Sequence, residues 1–182
     1  MDWMLILTAI GVIAAWTPFL LEKLSPMKIK GKLVSMYDNI GTWRGEQKAL
    51  FIFKLSVVSI NQSFNLKDVY IDINFRDNGI IHSSSVNQRN TYFTLDGKLK
   101  KLIVPEGSFL NNLVLLKKDE PAVGYIMTTS PIFKNDKIIE LIFIFRSYKK
   151  AAKKLSFKLD KIDESKILYD DSIWVTTDST KL

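Results

Sequence analysis

The chain has 182 residues, 47% of them hydrophobic and 25% charged, with 26 Lys and Arg against 19 Asp and Glu and a formal net charge of +7. This length and composition exclude a disordered tail, a collagen-like fibre and a multi-domain assembly. Cys is absent and His82 is the single histidine, which excludes disulfides, thiolate nucleophiles, Cys-held metal clusters and any metal site built on two imidazoles.

Trp3 to Leu21 is a run of nineteen residues without a charge. At ~1.5 Å of helical rise per residue it reaches nearly the ~30 Å of a bilayer core. The run is apolar all round, unlike an interfacial amphipathic helix. Trp3 and Trp16 lie near its two ends and Pro18 falls in its last turn, where a lost backbone bond costs least. No Lys or Arg precedes Lys23, and Phe19-Leu20-Leu21-Glu22-Lys23-Leu24 offers no small-residue cleavage site, so a cleaved signal peptide is disfavoured. The pattern predicts a single transmembrane anchor over residues 1–24 and one domain over 25–182. Asp2 flanks the run on one side and Lys23, Lys28, Lys30 and Lys32 on the other, which predicts the N-terminus outside and the domain in the cytoplasm. Thr8, Gly11 and Ala15 share one helix face. Their small-x-x-x-small spacing makes them candidates for helix association.

From Met27 onward the hydrophobic period is two. Phe51, Phe53, Leu55 and Val57 alternate with Ile52, Lys54 and Ser56. Val69, Ile71, Ile73 and Phe75 alternate with Asp68, Tyr70, Asp72 and Asn74, and Leu155, Phe157 and Leu159 with Ser156 and Lys158. Each stretch reads as a strand with one buried face. Ile138 to Phe145 is apolar apart from Glu140 and reads as a central strand. Asp77-Asn78-Gly79, Asp96-Gly97 and Asn135-Asp136 supply turn chemistry between strands. Glu106 to Asn112 reads as a helical turn or a crossing loop. The fold class expected is mainly β: a transmembrane helix followed by an antiparallel β-sandwich of immunoglobulin-like type.

Arg146, Lys149, Lys150, Lys153, Lys154 and Lys158 fall within thirteen residues that hold no acid. They form a candidate anion-contact patch for the inner membrane leaflet. Nucleic acid is less favoured, because Tyr148 is the cluster's one aromatic outside the inward-facing strand position Phe157 and no recognised binding motif is present. The competing reading is a solvated basic loop. Gly41-Thr42-Trp43-Arg44-Gly45 reads as a glycine-bounded loop, with Trp43 and Arg44 a candidate interface anchor; alternatively Trp43 caps the core. His82 reads as a structural or surface histidine. Asp68 and Asp72 read as part of a solvated sheet face, and the stretch from Asp72 departs from a calcium loop at the required Gly and Glu positions. Asp170-Asp171 reads as a turn, and Asn61-Gln62-Ser63 is a glycosylation sequon of near-chance frequency.

No P-loop, G-x-G-x-x-G, H-E-x-x-H or G-x-S-x-G is present, so no catalytic, cofactor-binding or metal-ligating residue is assigned. The expectation is a non-enzymatic, single-span membrane protein. Its domain would serve as an interaction, sensing or accessory module beside the bilayer, with a protein partner or self-association through the membrane helix. The alternative is a β-domain that binds a small anion or nucleotide, whose ligand controls association of the helices. The positive charge is uneven: residues 24–159 hold twenty-two bases and eleven acids, or +11, whereas 1–23 carry −1 and 160–182 carry −3.

Overall fold

The computed structural model describes residues 14, 16–17, 25–86, 90–95, 98–103, 106–159 and 174–176. Two long strands, β1 (Lys28–Trp43) and β2 (Glu46–Ile60), form the first hairpin. The short β3 (Phe64–Asn65) leads into β4 (Asp68–Phe75) and β5 (Gly79–Ser84). A ribbon of β6 (Asn90–Leu95) and β7 (Lys98–Ile103) follows, then two 3-10 turns at Glu106–Ser108 and Leu110–Asn112. The chain continues through β8 (Leu115–Leu116), β9 (Ala122–Ser130), β10 (Ile138–Arg146), β11 (Lys153–Lys158) and β12 (Trp174–Thr176).

One sheet has the order β12-β1-β2-β9 and the other β11-β10-β4-β5, and neighbouring strands within each are antiparallel. The chain is therefore mainly β. The period-two residues explain why the sheets meet: Phe51, Phe53, Leu55 and Val57 of one sheet and Val69, Ile71, Leu141, Phe143, Leu155 and Phe157 of the other share one buried core. Phe53 meets Phe143 edge-to-face at 5.2 Å, and Phe143 meets Phe157 likewise at 5.7 Å. Such pairs add about 0.5–1.5 kcal/mol each beyond the burial of their area. The central placement expected for Ile138–Phe145 holds, since β10 lies between β11 and β4.

Two expectations need correction. Ile52 is fully buried, although the alternation put it on an outward face. It joins Leu50, Met127 and Phe109 in a second apolar cluster on the opposite side of β2 and β9, with Tyr37, Val86 and Tyr125 packed beside it. Bridges from Val86 to Met127 and from Phe109 to Tyr125 carry the chain along β9 there. The glycine-bounded loop is also absent. Gly41 to Trp43 continue β1, Trp43 pairs with Glu46, and only Arg44 and Gly45 turn the chain. Both have positive φ, 51° and 84°, as a type I′ hairpin requires.

The proposed membrane span and the Thr8, Gly11 and Ala15 face lie outside the described residues. Within that run only Ala14, Trp16 and Thr17 are described, and these are helical and exposed. Among the described residues no helix is long and apolar enough to cross a membrane. Asp170-Asp171 lies outside them as well.

Candidate functional site

Antiparallel strands return the chain to the same end after every second strand. One end of the sandwich therefore holds residues 25–27, the 61–67 connection, the 117–121 connection and the 147–152 loop. Side chains fasten these segments to one another. Asn61 Nδ2 donates to Pro26 O at 2.9 Å, and Gln62 Nε2 donates to Ser25 O at 3.3 Å. Lys150 Nζ reaches Gln62 Oε1 at 3.1 Å and Ser63 O at 3.0 Å. Lys118 N donates to Ser63 Oγ at 3.0 Å and Asp119 N to Ser59 O at 2.8 Å. Lys67 N donates to Arg146 O at 2.8 Å, and the Lys67 ammonium lies 5.4 Å from the centre of the Tyr148 ring.

This arrangement redraws the basic cluster seen in the sequence. Arg146 ends β10, and Lys149 and Lys150 occupy the loop at this end. Lys153 and Lys154 begin β11, opposite Phe145 and Ile144, whereas Lys158 sits opposite Glu140. Lys158 is four strand steps beyond Lys154, roughly 13 Å, so the six do not form one patch. In exchange the fold brings Lys67, Lys117 and Lys118 beside Lys149 and Lys150, all exposed. The acids Asp68, Asp119 and Glu120 share this end, and Glu120 pairs with Lys117 at 3.2 Å. Large apolar side chains are exposed among the lysines: Val114 at 76%, Tyr148 at 73% and Val123 at 55%. Nothing in the linear sequence marks Lys67 or Lys117 as neighbours of Lys149; the signal is strand parity.

The opposite end is tied differently. Asp136 accepts from Asp77 N at 3.1 Å, Asn78 N at 3.0 Å and Asn78 Nδ2 at 2.7 Å, which joins the β4–β5 turn to the β9–β10 turn. Desolvation pushes the Asp136 carboxyl up, but hydrogen bonds from the Asn78 side chain and from the backbone of Asp77, Asn78 and Lys137 outweigh it and leave the group lowered. Arg44 is exposed on the β1–β2 turn and Trp43 precedes it in β1, apart from the lysine-rich end.

On the outer face of the β11-β10-β4-β5 sheet, Asp72 lies opposite both His82 and Ile142. The solvated-face reading fails for Asp72, which is only 8% exposed. His82 Nδ1 lies 2.8 Å from its Oδ1, while the His82 side chain remains 78% exposed. Ser156 Oγ donates to Glu140 on the same face, and Arg146 stacks over Tyr70 at 5.4 Å. Among the described residues no group of three or more His, Asp or Glu gathers to hold a metal ion. Comparison with protein-family models, with curated proteins and with solved structures finds no match for this chain.

Proposed function

We propose that the chain is a single-span membrane protein whose immunoglobulin-like sandwich is a non-enzymatic interaction or accessory module on the cytoplasmic side. The observation that carries this reading is how little chain separates the apolar run from the folded domain. The run ends at Leu21, and Ser25 and Pro26 already accept hydrogen bonds from Gln62 and Asn61. The domain is then held against the bilayer, and what it contacts is confined to partners at or in that membrane. Strand order supports the finer fold assignment: apart from β12, which is added beside β1, β1-β2-β9 facing β11-β10-β4-β5 follows the A-B-E and G-F-C-C′ pairing of immunoglobulin-like sandwiches. The face of the second sheet offers a contact surface, with Ile80 48% exposed and Tyr70, Ile142 and Ile144 half-buried around the Asp72–His82 pair.

Fractionation and a topology reporter test this reading. The chain is expected to resist alkaline extraction from membranes, and a C-terminal reporter is expected to be active only in the cytoplasm. Release of the chain by alkali overturns the span, and reporter activity confined to the outer side overturns the orientation.

A further inference from the structure

We propose that the lysine-rich end of the sandwich docks on an anionic lipid surface. The domain then stands end-on, with the Asn61–Ser63 turn and the 147–152 loop at the headgroups. The proposal rests on residues 3–21 being a span and adds to it the surface and the class of partner.

Reach comes first. Residues 22–24 separate the run from Ser25, and three residues extend at most about 10 Å. That is little more than the ~8 Å Debye length at physiological salt, so charges beside Ser25 still act on the headgroups, with an attraction that salt weakens. Charge comes second. Lys67, Lys117, Lys118 and Lys149 are exposed there, and Lys150 spans from the loop to Gln62 and Ser63, which fixes the loop beside the tether. Asp68, Asp119 and Glu120 offset part of this charge without reversing it.

The third argument selects lipid over other polyanions. Among the described residues seven large hydrophobic side chains are exposed, and Val114, Leu115, Val123 and Tyr148 of these lie at the lysine-rich end. Leu66 N donates to Val114 O, and Leu115 pairs with Asn65, so the first two belong to the ribbon that closes that end. Aliphatic groups among lysines gain nothing from a phosphodiester backbone, but they fit the boundary between headgroups and acyl chains, where Tyr is also enriched. A lysine near an anionic leaflet raises the docked-to-undocked ratio about fivefold. With Glu120 paired to Lys117, Asp68 beside Lys67 and Asp119 at the same end, the five lysines leave a net of two charges, which raise it on the order of 25-fold.

The chain lacks Cys, so single labels are readily placed. The full chain carrying Ala151→Cys at the lysine-rich end, or Lys134→Cys at the opposite end, is labelled with a fluorophore. It is then reconstituted into nanodiscs of phosphatidylcholine alone or mixed with phosphatidylglycerol, each with a headgroup-nitroxide lipid as quencher. The Ala151 label is expected to be quenched, more strongly in the anionic discs, and the Lys134 label is not. Lys67→Gln, Lys117→Gln, Lys118→Gln and Lys149→Gln combined are expected to abolish the anionic enhancement, and raising the salt does the same without any substitution. Quenching at residue 151 that ignores lipid charge, salt and all four substitutions overturns the docking and leaves the span intact. Failure of the chain to enter the discs overturns both. Retention of a labelled oligonucleotide in phosphatidylcholine discs, lost in the fourfold variant and accompanied by no phosphatidylglycerol effect, reassigns the lysines to nucleic acid and overturns lipid docking.

Discussion

Gly124 and Gly31 are both buried strand glycines, and the structure separates what an added methyl group does at each. Gly124 of β9 lies opposite Leu55. A Cβ there would stand 2.8 Å from the Ser108 carbonyl oxygen and 2.8 Å from Leu110 Cγ. The first of these is backbone in a 3-10 turn, so relief requires the whole Glu106–Asn112 segment to retreat from β9. Overpacking of this kind costs about 1–3 kcal/mol, and removing a glycine from the unfolded chain returns about 0.4–1 kcal/mol. Gly124→Ala is therefore expected to lose about 1–2 kcal/mol net, which lowers Tm by roughly 2–8 °C at this size. At Gly31 a Cβ would overlap Leu155 Cδ1, the far end of a side chain, and would meet Val57 Cγ1 at 3.4 Å. Turning Leu155 off its rotamer costs about 0.5–1.5 kcal/mol, close to what the lost chain entropy returns, so Gly31→Ala is expected to be nearly neutral. Thermal unfolding of the detergent-solubilised full chain, followed by tryptophan fluorescence, measures both. A Gly124→Ala protein that melts at or above the parent while Gly31→Ala melts well below it would refute the reasoning. The turn would then not press on β9, and the cover of that edge would have to be assigned differently.

Three further outcomes follow from single contacts. Asp136→Asn is expected to lower Tm at neutral pH, because a carboxylate accepts the Asp77 and Asn78 donors better than an amide does. The Asp136 carboxyl is lowered in the fold, so its contribution is complete above the unfolded carboxylate value and is lost as pH falls through the folded one. The gap to the parent should close in acid, and a gap that widens there contradicts the assignment. His82→Ala is expected to cost about 1 kcal/mol by removing a donor from a carboxylate shielded from water, whereas Lys117→Ala at the exposed Glu120 pair costs a few tenths at most; urea midpoints compare the two. Arg44→Asn is expected to stabilise by up to about 1 kcal/mol, since Asn-Gly suits the two positive φ angles better than Arg-Gly, and a loss of stability would show that Arg44 makes a contact worth more than its strain.

What the sequence made legible was whatever repeats along the strand. Phe51, Phe53, Leu55 and Val57 declare an inward face by alternation alone, and Gly79 and Asn135 declare turns by tolerating φ of 74° and 64°. The second cluster was less visible because alternation is the signature of one buried face. Ala49-Leu50-Phe51-Ile52-Phe53 is five apolar residues in succession, which is how a strand covered on both sides reads, yet nothing local says that Val86 and Phe109 supply the cover. The Arg44–Gly45 turn escaped notice because Arg rarely adopts positive φ. Asp72 looked solvated because Asp72 and His82 are ten residues apart, and only the β4–β5 register makes them neighbours.

The lysine-rich end shows the same limit at the scale of the fold. Counting bases along the chain selects Arg146 to Lys158, a run that the β11 register stretches up the side of the sheet. Counting by strand direction gives a different set. β1 leaves the lysine-rich end and β2 returns to it; β4 and β9 leave it and β10 returns. The residues just outside those strands, Lys67, Lys117, Lys118 and Lys149, therefore converge although more than eighty positions separate the first from the last. A tethered domain presents an end to its membrane, and the charge that matters is the charge of that end. Because Asn61 and Gln62 hold Pro26 and Ser25 from the same turn that Lys150 grips, the tether and the lysines are parts of one small unit. On the proposed reading, only residues 22–24 lie between the membrane helix and that unit, so a change in how the helices associate has a short path to the sandwich. Asn61→Ala with Gln62→Ala removes both bonds to residues 25–26 and, with them, one of the two that hold Lys150, so it is expected to loosen the whole unit.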